Sequence, residues 1–205
     1  MKFYMTPGSC STGIHLLLEE VGAVFEVYIV NLPAGDHLKP DYMAINPRAT
    51  VPTLVLDDGR AITDFQAIAW WLARQYPRRK LLPDDAAGEV RVLEWMDYAV
   101  GTIHGQGFTR IFTTSSHTPN TADHEAVQAR GREIVNRGFE VMNTQLEGRD
   151  YLAGGFSIAD AALFYTEFWA ARLKMTLPPN CAAHYLRMLE RPPVRLVLAE
   201  EGYRV

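Results

Sequence analysis

The residues best suited to chemistry lie near the start of the chain, in residues 6–15, which read Thr-Pro-Gly-Ser-Cys-Ser-Thr-Gly-Ile-His. Pro7 and Gly8 favour a turn, and Ser9 is predicted to cap the helix that follows. Cys10 then falls in the first helical turn, where unpaired backbone N–H groups favour an anion. We therefore expect a thiol whose pKa is well below the usual value of about 8.5. The alternative is a partly buried structural cysteine.

Two strands and one helix are predicted to position this cysteine. Residues 3–5 form a short apolar strand, and residues 25–30 alternate as a second strand should. Between them, apolar side chains recur with the spacing of one helix face, and Gly22 ends the pattern; they are Ile14, Leu17, Leu18 and Val21. A strand, a helix and a strand in this order predict a parallel pair with a right-handed crossover.

The next residues predict the remainder of a small mixed sheet. Residues 41–45 form a short helix before Asn46-Pro47, and residues 51–62 form a hairpin around an Asp-Gly turn. A helix begins near Asp64, since Phe65, Ile68, Ala69 and Leu72 share a face. The first part of the chain therefore reads as an α/β domain with about four strands.

A second, all-helical domain is predicted after residues 77–83, which contain prolines and three consecutive basic residues. We place the domains at residues 1–77 and 84–205. Helical patterns cover residues 89–104, 125–146, 161–173, 185–189 and 193–199. Ser157 and Asp160 match a capping box at the start of the third of these, so we assign them to folding.

Composition excludes several classes of function for this chain of 205 residues. The net charge of −4 argues against nucleic acid and anionic membrane surfaces as partners. No apolar run reaches the roughly 18 residues of a membrane span, and the N-terminus does not resemble a signal peptide. Two distant cysteines, Cys10 and Cys181, offer neither a disulfide framework nor a metal pair. We expect a cytoplasmic protein without a metal, in which Cys181 is inert.

The ordered set of motifs resembles the glutathione transferase family, and its bacterial beta class in particular. The resemblance spans nearly the whole chain and rests on Tyr4, residues 6–11, His15, residues 44–47, Val51-Pro52, residues 67–68, Glu94-Trp95, His104, residues 151–154 and residues 156–161. It implies a thioredoxin-like N-terminal domain followed by the helical domain of that family. It also implies glutathione as co-substrate.

In the first domain, the resemblance implies two binding elements for glutathione. Val51, before a cis Pro52, would pair its backbone with the cysteinyl part of the tripeptide. The helix start at Asp64 and Phe65 would receive the γ-glutamyl carboxylate on its free N–H groups. The family usually has Glu followed by Ser or Gly here, so Phe65 lacks the hydroxyl donor and adds bulk. We expect glutathione binding to be weakened or re-aimed rather than abolished.

In the helical domain, the resemblance implies a second group of site residues. Asp97 stands where the family has Asn, Gly101 stands where it has Ser, and Thr102 adjoins them. His104 matches a catalytic-site histidine, which would hydrogen-bond the thiolate or donate a proton with a pKa suited to neutral pH. A structural or solvated histidine is the alternative. The family's basic residue after the second strand has no clear equivalent, and the nearest candidates are His37 and Lys39.

The resemblance therefore implies a homodimeric glutathione transferase involved in detoxification. Cys10, Ser11 and His104 would be catalytic, and a hydrophobic electrophile would bind the helical domain, where Phe108 and Phe112 are candidates for its wall. The thiolate of glutathione would attack the electrophile, or Cys10 would exchange disulfides with glutathione. A non-catalytic binding protein that keeps the same fold is the alternative, because Phe65, Asp97 and Gly101 depart from the family pattern.

Overall fold

The computed structural model describes residues 1–204, which form two compact units. Unit 1 contains residues 1–82 together with the chain from Met188 onward, and unit 2 contains residues 83–187. The sequence-based division at residues 77–84 placed the last segment in the helical domain, whereas this segment packs with unit 1. Among the described residues, no helix is both long and apolar enough to cross a membrane.

Unit 1 is built on a four-stranded sheet, as predicted. The strands are β1 (Lys2–Met5), β2 (Glu26–Ile29), β3 (Thr53–Val55) and β4 (Ala61–Thr63), in the order β2-β1-β3-β4. β1 and β2 are parallel, and the other two pairs are antiparallel. All four residues of β2 are exposed, so its sequence alternation does not mark a half-buried strand. The strand lies at the sheet edge instead.

Four helices accompany this sheet: α1 (Ser11–Val21), α2 (Pro40–Met43), α3 (Phe65–Gln75) and, near the chain end, α9 (Pro192–Glu200). The apolar face predicted for α1 is fully buried, and Gly22 ends the helix with a φ of 67° in the left-handed region that glycine favours. The predicted face of α3 is buried as well. Short 3₁₀ turns cover Asp36–Leu38 and Pro77–Arg79. The strong helical patterns thus mark the buried faces.

Unit 2 is helical throughout, apart from one isolated bridge between Ala153 and Gly155. Its helices are α4 (Ala86–Asp97), α5 (Thr109–Phe112), α6 (His124–Gln145), α7 (Ile158–Arg172) and α8 (Pro179–Glu190). A π-helical segment, Tyr98–Phe108, joins α4 to α5, and 3₁₀ turns cover Thr114–Ser116 and Thr121–Asp123. The end of α8, from Met188, packs with unit 1.

Helix α7 forms the centre of unit 2, because every residue from Ile158 to Ala170 is buried. Its N-terminus is held as the sequence predicted. The Asp160 carboxylate accepts the backbone N–H of Ser157 at 2.8 Å and that of Leu152 at 2.9 Å. Ser157 and Asp160 therefore have the structural role that the capping box predicted.

The same carboxylate belongs to a buried cluster of charges. His184 Nδ1 lies 2.8 Å from Glu167 Oε2, and His184 Nε2 lies 3.3 Å from Asp160 Oδ1. Burial alone would lower the pKa of His184, but the neighbouring Glu167 and Asp160 carboxylates raise it to about 10. Burial raises the pKa of Glu167 to about 7. We interpret the cluster as an imidazolium held between two acidic side chains.

The π-helical segment and α6 approach each other closely at glycines. A Cβ atom added to Gly138 would lie 2.5 Å from Ile103 Cγ1, and one added to Gly107 would lie 2.6 Å from Val135 Cγ2. A Cβ atom on Gly131 would lie 2.9 Å from the Gly107 carbonyl oxygen. Since real Cβ contacts are longer than this, these three positions need a residue without a side chain.

Candidate functional site

Strand register brings three of the predicted site segments to one end of the sheet in unit 1. Tyr4 of β1 pairs with Thr53 of β3, and Thr53 pairs with Thr63 of β4. The chain leaving β1 towards Cys10, the Val51-Pro52 dipeptide before β3 and Asp64 after β4 must therefore share that end. The Val51–Pro52 peptide bond is cis, as the resemblance implied.

Cys10 lies at the start of α1, at the position just before its first residue, in a helical conformation. Its thiol donates a hydrogen bond to the Val51 carbonyl oxygen, with a sulfur–oxygen distance of 3.5 Å. The side chain keeps part of its surface accessible to solvent. The structure thus joins two of the predicted site residues directly.

The prediction of a low pKa for Cys10 was wrong. Burial raises the pKa of the thiol to about 12, and the backbone N–H groups of Cys10 and Ser11 only partly counter this effect. Helix-end N–H groups do act on the sulfur as we expected, but the surrounding protein removes the water that would stabilise a thiolate. In the unliganded protein the neutral thiol, donating to Val51, is the stable form.

Ser9 and Ser11 form part of the backbone support for this turn. Helix α1 begins one residue later than predicted, so Ser9 does not occupy the capping position, although its Oγ accepts the Ser11 N–H at 3.1 Å. The Ser11 side chain is fully buried, contacts the Ser9 hydroxyl and accepts the Thr6 N–H at 3.3 Å. The Ser11 hydroxyl therefore holds the turn, and the Ser11 N–H, which donates to the Ser9 hydroxyl, also helps to lower the pKa of Cys10.

Glu201, which sequence reasoning missed, contacts the same segment from the far end of the chain. Its carboxylate accepts the Gly8 N–H at 2.7 Å and the Thr12 hydroxyl at 2.7 Å. It also lies 2.9 Å from His15 Nδ1. Only 2% of the Glu201 side chain is exposed. A buried carboxylate in unit 1 thus anchors both sides of the Cys10 turn.

The second predicted binding element is the start of α3. Asp64 precedes the helix with φ 70° and ψ 141°, a conformation that costs a residue other than glycine about 1–3 kcal/mol. Its carboxylate is paired with the Arg48 guanidinium. Strained backbone of this kind clusters at ligand-binding sites. Arg48 itself was not predicted, since one arginine in a polar loop carries no distinguishing signal.

Phe65 and the two basic candidates have clear structural positions. The Phe65 side chain is 3% exposed and faces the core rather than the helix end. The bulky ring is therefore part of the core and is not exposed at the start of the helix. Lys39 pairs with Asp36 at 2.6 Å, and His37 lies in the same 3₁₀ turn. Arg48, which was not among these candidates, is the basic residue that pairs with Asp64.

The remaining predicted site residues belong to unit 2. Asp97 is the last residue of α4, and Gly101, Thr102 and His104 lie in the π-helical segment. Asp97 and Gly101 are exposed, and a Cβ atom on Gly101 would lie 3.8 Å from the Asp97 carboxylate oxygens. These two positions are thus neighbours on one helical surface, as their spacing predicts.

His104 is packed among aromatic rings. Its Nδ1 lies 3.1 Å from the Tyr165 hydroxyl, and its ring meets Trp169 edge-on with a centroid distance of 4.9 Å. Burial lowers the pKa of His104 to about 4. The expectation of a pKa suited to neutral pH was therefore wrong, and His104 is neutral at pH 7. A neutral imidazole can still donate one hydrogen bond, but it does not act as a charged acid.

The two candidate wall residues differ in exposure. Phe108 is fully buried, whereas half of Phe112 is exposed. Their rings stack with centroids 5.6 Å apart, and each meets Trp169 edge-on at 5.2 Å. Of these three rings, Phe112 alone presents a large apolar surface to solvent, and Phe108 and Trp169 pack against it. The aromatic group of unit 2 therefore offers one exposed ring rather than two.

Comparisons with known proteins decide the family. The profile described as "Glutathione S-transferase, N-terminal domain" matches residues 8–75, and the corresponding C-terminal domain profile matches residues 125–187. Glutathione S-transferase GstA of Escherichia coli O157:H7 is 34% identical over 213 aligned residues, which span the whole of both chains. The chain belongs to the glutathione S-transferase family. Its named relatives support a transferase role.

Solved structures of the glutathione S-transferase family have the same fold across the whole chain. The beta-class enzyme of Sphingomonas chungbukensis is 30% identical, with a TM-score of 0.87 and full coverage of both chains. A sphingomonad glutathione S-transferase complexed with glutathione is also 30% identical, with a TM-score of 0.86 and full coverage of both. The thioredoxin-like domain followed by a helical domain is thus confirmed.

Proposed function

We propose that the protein is a glutathione transferase that binds glutathione at the end of the sheet in unit 1. The observation that supports this most directly is the shared position of the Cys10 turn, the cis Val51–Pro52 bond and the strained Asp64. A full-length structural relative is complexed with glutathione. Val51 would pair its backbone with the cysteinyl part of glutathione.

The γ-glutamyl end of glutathione would bind at the start of α3. Its carboxylate would lie at the N-terminal end of α3, where the helix dipole favours an anion, and its amine would meet the Asp64 carboxylate, which Arg48 holds in place. Because the Phe65 ring faces the core, its bulk does not block this arrangement. The missing serine hydroxyl still removes one hydrogen bond, worth about 0.5–1.5 kcal/mol.

The sulfur chemistry favours conjugation by the thiol of glutathione over exchange through Cys10. A glutathione sulfur beside α1 would lie at the N-terminal end of that helix, where the backbone N–H groups and the helix dipole favour a thiolate. Thiol exchange would instead require ionisation of Cys10, whose pKa is raised to about 12. Conjugation of a hydrophobic electrophile is therefore the main activity that we propose. Thiol transfer through Cys10 becomes the lesser one.

The unit 2 residues that the resemblance implied have proposed roles of their own. His104, neutral at pH 7, would donate a hydrogen bond rather than supply a proton as a charged acid. Phe112 would offer its exposed ring to the electrophile. We propose that Asp97, Gly101 and Thr102 contact glutathione. Because Asp97 and Gly101 replace Asn and Ser, they offer fewer neutral hydrogen-bond donors than the family pattern provides. Assignment to the beta class, a homodimeric state, cytoplasmic location and a role in detoxification belong to the same proposal.

Glutathione binding and transfer to chlorodinitrobenzene test the proposal. We expect wild type to bind glutathione in calorimetry and to conjugate the electrophile. Asp64→Asn should raise the Kd for glutathione by about tenfold, because it removes the charge that meets the amine. Asp58→Asn, at an exposed hairpin aspartate, is the matched control and should change nothing. A folded wild-type protein without glutathione binding would favour the non-catalytic alternative, which its named relatives do not favour.

A further inference from the structure

One buried histidine nitrogen in unit 1 has no hydrogen-bond partner. The His15 imidazole is 3% exposed, and its Nε2 atom accepts and donates no hydrogen bond. A buried polar atom of this kind is rare, because leaving it unsatisfied costs about 1–3 kcal/mol. This nitrogen faces the Glu200 carboxylate, with Nε2 and Oε2 separated by 3.2 Å.

The other nitrogen of the ring fixes the position of the imidazole. His15 Nδ1 lies 2.9 Å from the buried Glu201 carboxylate, which also accepts hydrogen bonds from Gly8 and Thr12. Because this carboxylate acts as an acceptor throughout, Nδ1 carries the proton and Nε2 presents its lone pair. A carboxylate that orients a histidine in this way is the usual outer partner of a metal-binding imidazole.

Two further carboxylates lie near the unpartnered nitrogen. Glu19 follows His15 by one helical turn on α1, and Glu200 is the last residue of α9. One ligand atom from each of His15, Glu19 and Glu200 lies within 4.8 Å of the others. Ligand atoms about 2.1 Å from a tetrahedral metal lie about 3.4 Å apart. Small rotations of the two glutamate side chains would therefore bring the three ligand atoms to the spacing that a metal requires.

We propose that His15, Glu19 and Glu200 bind a first-row divalent cation such as Zn²⁺. One imidazole and two carboxylates form a ligand set that suits zinc and its neighbours better than Mg²⁺ or Ca²⁺, which prefer oxygen alone. About half of the Glu200 side chain is exposed, which gives the ion a route from solvent and leaves a position for water. The cation also relieves the repulsion between carboxylates gathered around one imidazole.

The proposed metal site is separate from the proposed transferase function. Its ligands lie on α1 and at the end of α9, outside the segments that we propose to bind glutathione. Its ion would link α1 to the end of α9 and thereby stabilise the turn that carries Cys10. The sequence predicted no metal, since we considered only cysteine pairs. The pattern His15-x-x-x-Glu19 places two ligands on one helix face, and Glu200 joins them only after folding.

Zinc binding by tag-free, chelator-treated protein tests the site. The Cys10→Ser background removes the competing thiol. In calorimetry we expect one Zn²⁺ per chain, and Glu19→Gln and Glu200→Gln should each weaken binding by at least about tenfold. A hundredfold excess of Zn²⁺ over its Kd should raise Tm by roughly 5 °C, because only the folded chain holds the ligands together.

Glu190→Gln, which changes an exposed glutamate at the end of α8, is the matched control and should leave zinc affinity unchanged. Equal affinity in wild type, Glu19→Gln and Glu200→Gln would overturn the site. Failure to bind at roughly millimolar Zn²⁺ would overturn it as well. Neither outcome depends on transferase activity.

Discussion

At the scale of single residues, solvent exclusion changes the chemistry of the two predicted catalytic side chains. The Cys10 thiol and the His104 imidazole are both neutral at pH 7, because burial disfavours the charged form of each. Cys10 is therefore a hydrogen-bond donor to Val51, and His104 is a partner of Tyr165. In the function that we propose, the negative charge for catalysis would therefore reside on glutathione.

The first prediction concerns the reactivity of Cys10. With a pKa raised to about 12, its alkylation by iodoacetamide should keep rising about tenfold per pH unit from roughly pH 7 to 10, because only the thiolate reacts. Mass spectrometry of the labelled protein gives the rate. Cys10→Ser should abolish labelling, since Cys181 is buried. A plateau below about pH 9 would show a stabilised thiolate and contradict the prediction.

The second prediction concerns His104. Its pKa is about 4 in the folded chain and 6.5 without the surrounding protein, so the unfolded chain binds more protons between these values. Stability should therefore fall as pH drops from 6.5 towards 4, and His104→Gln should reduce that fall. Urea unfolding at several pH values measures it. The exposed His117→Gln should leave the pH dependence unchanged, and equal behaviour of both variants would reject the assignment.

The sequence predicted that the Cys10 thiol lies at the start of a helix, and the family resemblance implied the cis proline. The predicted low pKa of the thiol was wrong. The turn and helix are local, so Pro7, Gly8 and the apolar spacing predict them. The pKa of Cys10 is raised mainly by burial, which depends on how segments distant in sequence pack around the thiol. The role of Glu201 was missed for the same reason. In the sequence it resembles any surface glutamate after a helix, and its partners Gly8, Thr12 and His15 are distant in the chain.

At the scale of elements, the contact between the π-helical segment and α6 depends on glycine. π-Helices are rare and usually span a single turn, whereas this one covers 11 residues. Gly101, Gly105 and Gly107 all lie within it. The segment carries His104, Gly101 and Thr102, so the packing that maintains the π geometry also sets the spacing of these proposed site residues.

The third prediction tests that packing. Gly138→Ala should destabilise the protein by about 1–3 kcal/mol, because the new Cβ would lie 2.5 Å from Ile103 Cγ1. Gly101→Ala is the matched control: it is also a helical glycine, but its nearest neighbour would be 3.8 Å away. Alanine there should stabilise by up to about 1 kcal/mol through helix propensity. Opposite signs in urea unfolding are expected, and a stabilising Gly138→Ala would contradict the contact.

The fourth prediction concerns the buried cluster of Asp160, Glu167 and His184. His184→Gln should cost about 3–5 kcal/mol, since it leaves two carboxyl groups without their cation. Because the folded pKa of His184 is about 10 against a reference of 6.5, its contribution is complete below pH 6.5 and is lost as pH rises towards 10. Urea unfolding near pH 6 and pH 9 compares these states. Adding Glu167→Gln should recover part of the loss; no recovery would contradict the pairing.

The elements themselves were predicted well from sequence, and the exceptions have physical causes. Helix periodicity identified α1, α3 and α6 because their buried faces repeat. Helix α7 is buried on all sides, and its capping box and apolar run identified it instead. The apolar spacing in the π-helical segment is the same as that of an α-helix. The sequence therefore could not distinguish the two kinds of helix there. β2 alternates in sequence yet is exposed along its length, because the position of a strand in its sheet is set by tertiary pairing.

At the scale of the whole molecule, unit 1 is assembled from both parts of the chain that flank unit 2. Glu201 is the clearest link, because its carboxylate contacts three residues of the Cys10 turn. Arg191 adds a second link through its ion pair with Glu20 of α1. The stability of the proposed glutathione site therefore depends on residues far from it in sequence.

The fifth prediction compares two neighbouring glutamates. Glu201→Gln should destabilise the protein by about 2–4 kcal/mol and weaken glutathione binding, since a buried, charge-assisted network is broken. Glu200→Gln, at a half-exposed side chain, should change stability by less than about 1 kcal/mol when no metal is added. Urea unfolding and calorimetry with glutathione give both quantities. Similar losses in the two variants would argue against the special position of Glu201.

The divided composition of unit 1 has a consequence for biosynthesis. The four strands and α1 have all been translated by residue 75. The carboxylate that holds the Cys10 turn, however, belongs to residue 201. At roughly 5–20 residues per second, the ribosome needs about 10 s to reach it. Unit 2 is continuous and is complete in the nascent chain earlier. Unit 2 should therefore mature first, and the Cys10 turn of unit 1 should become ordered last.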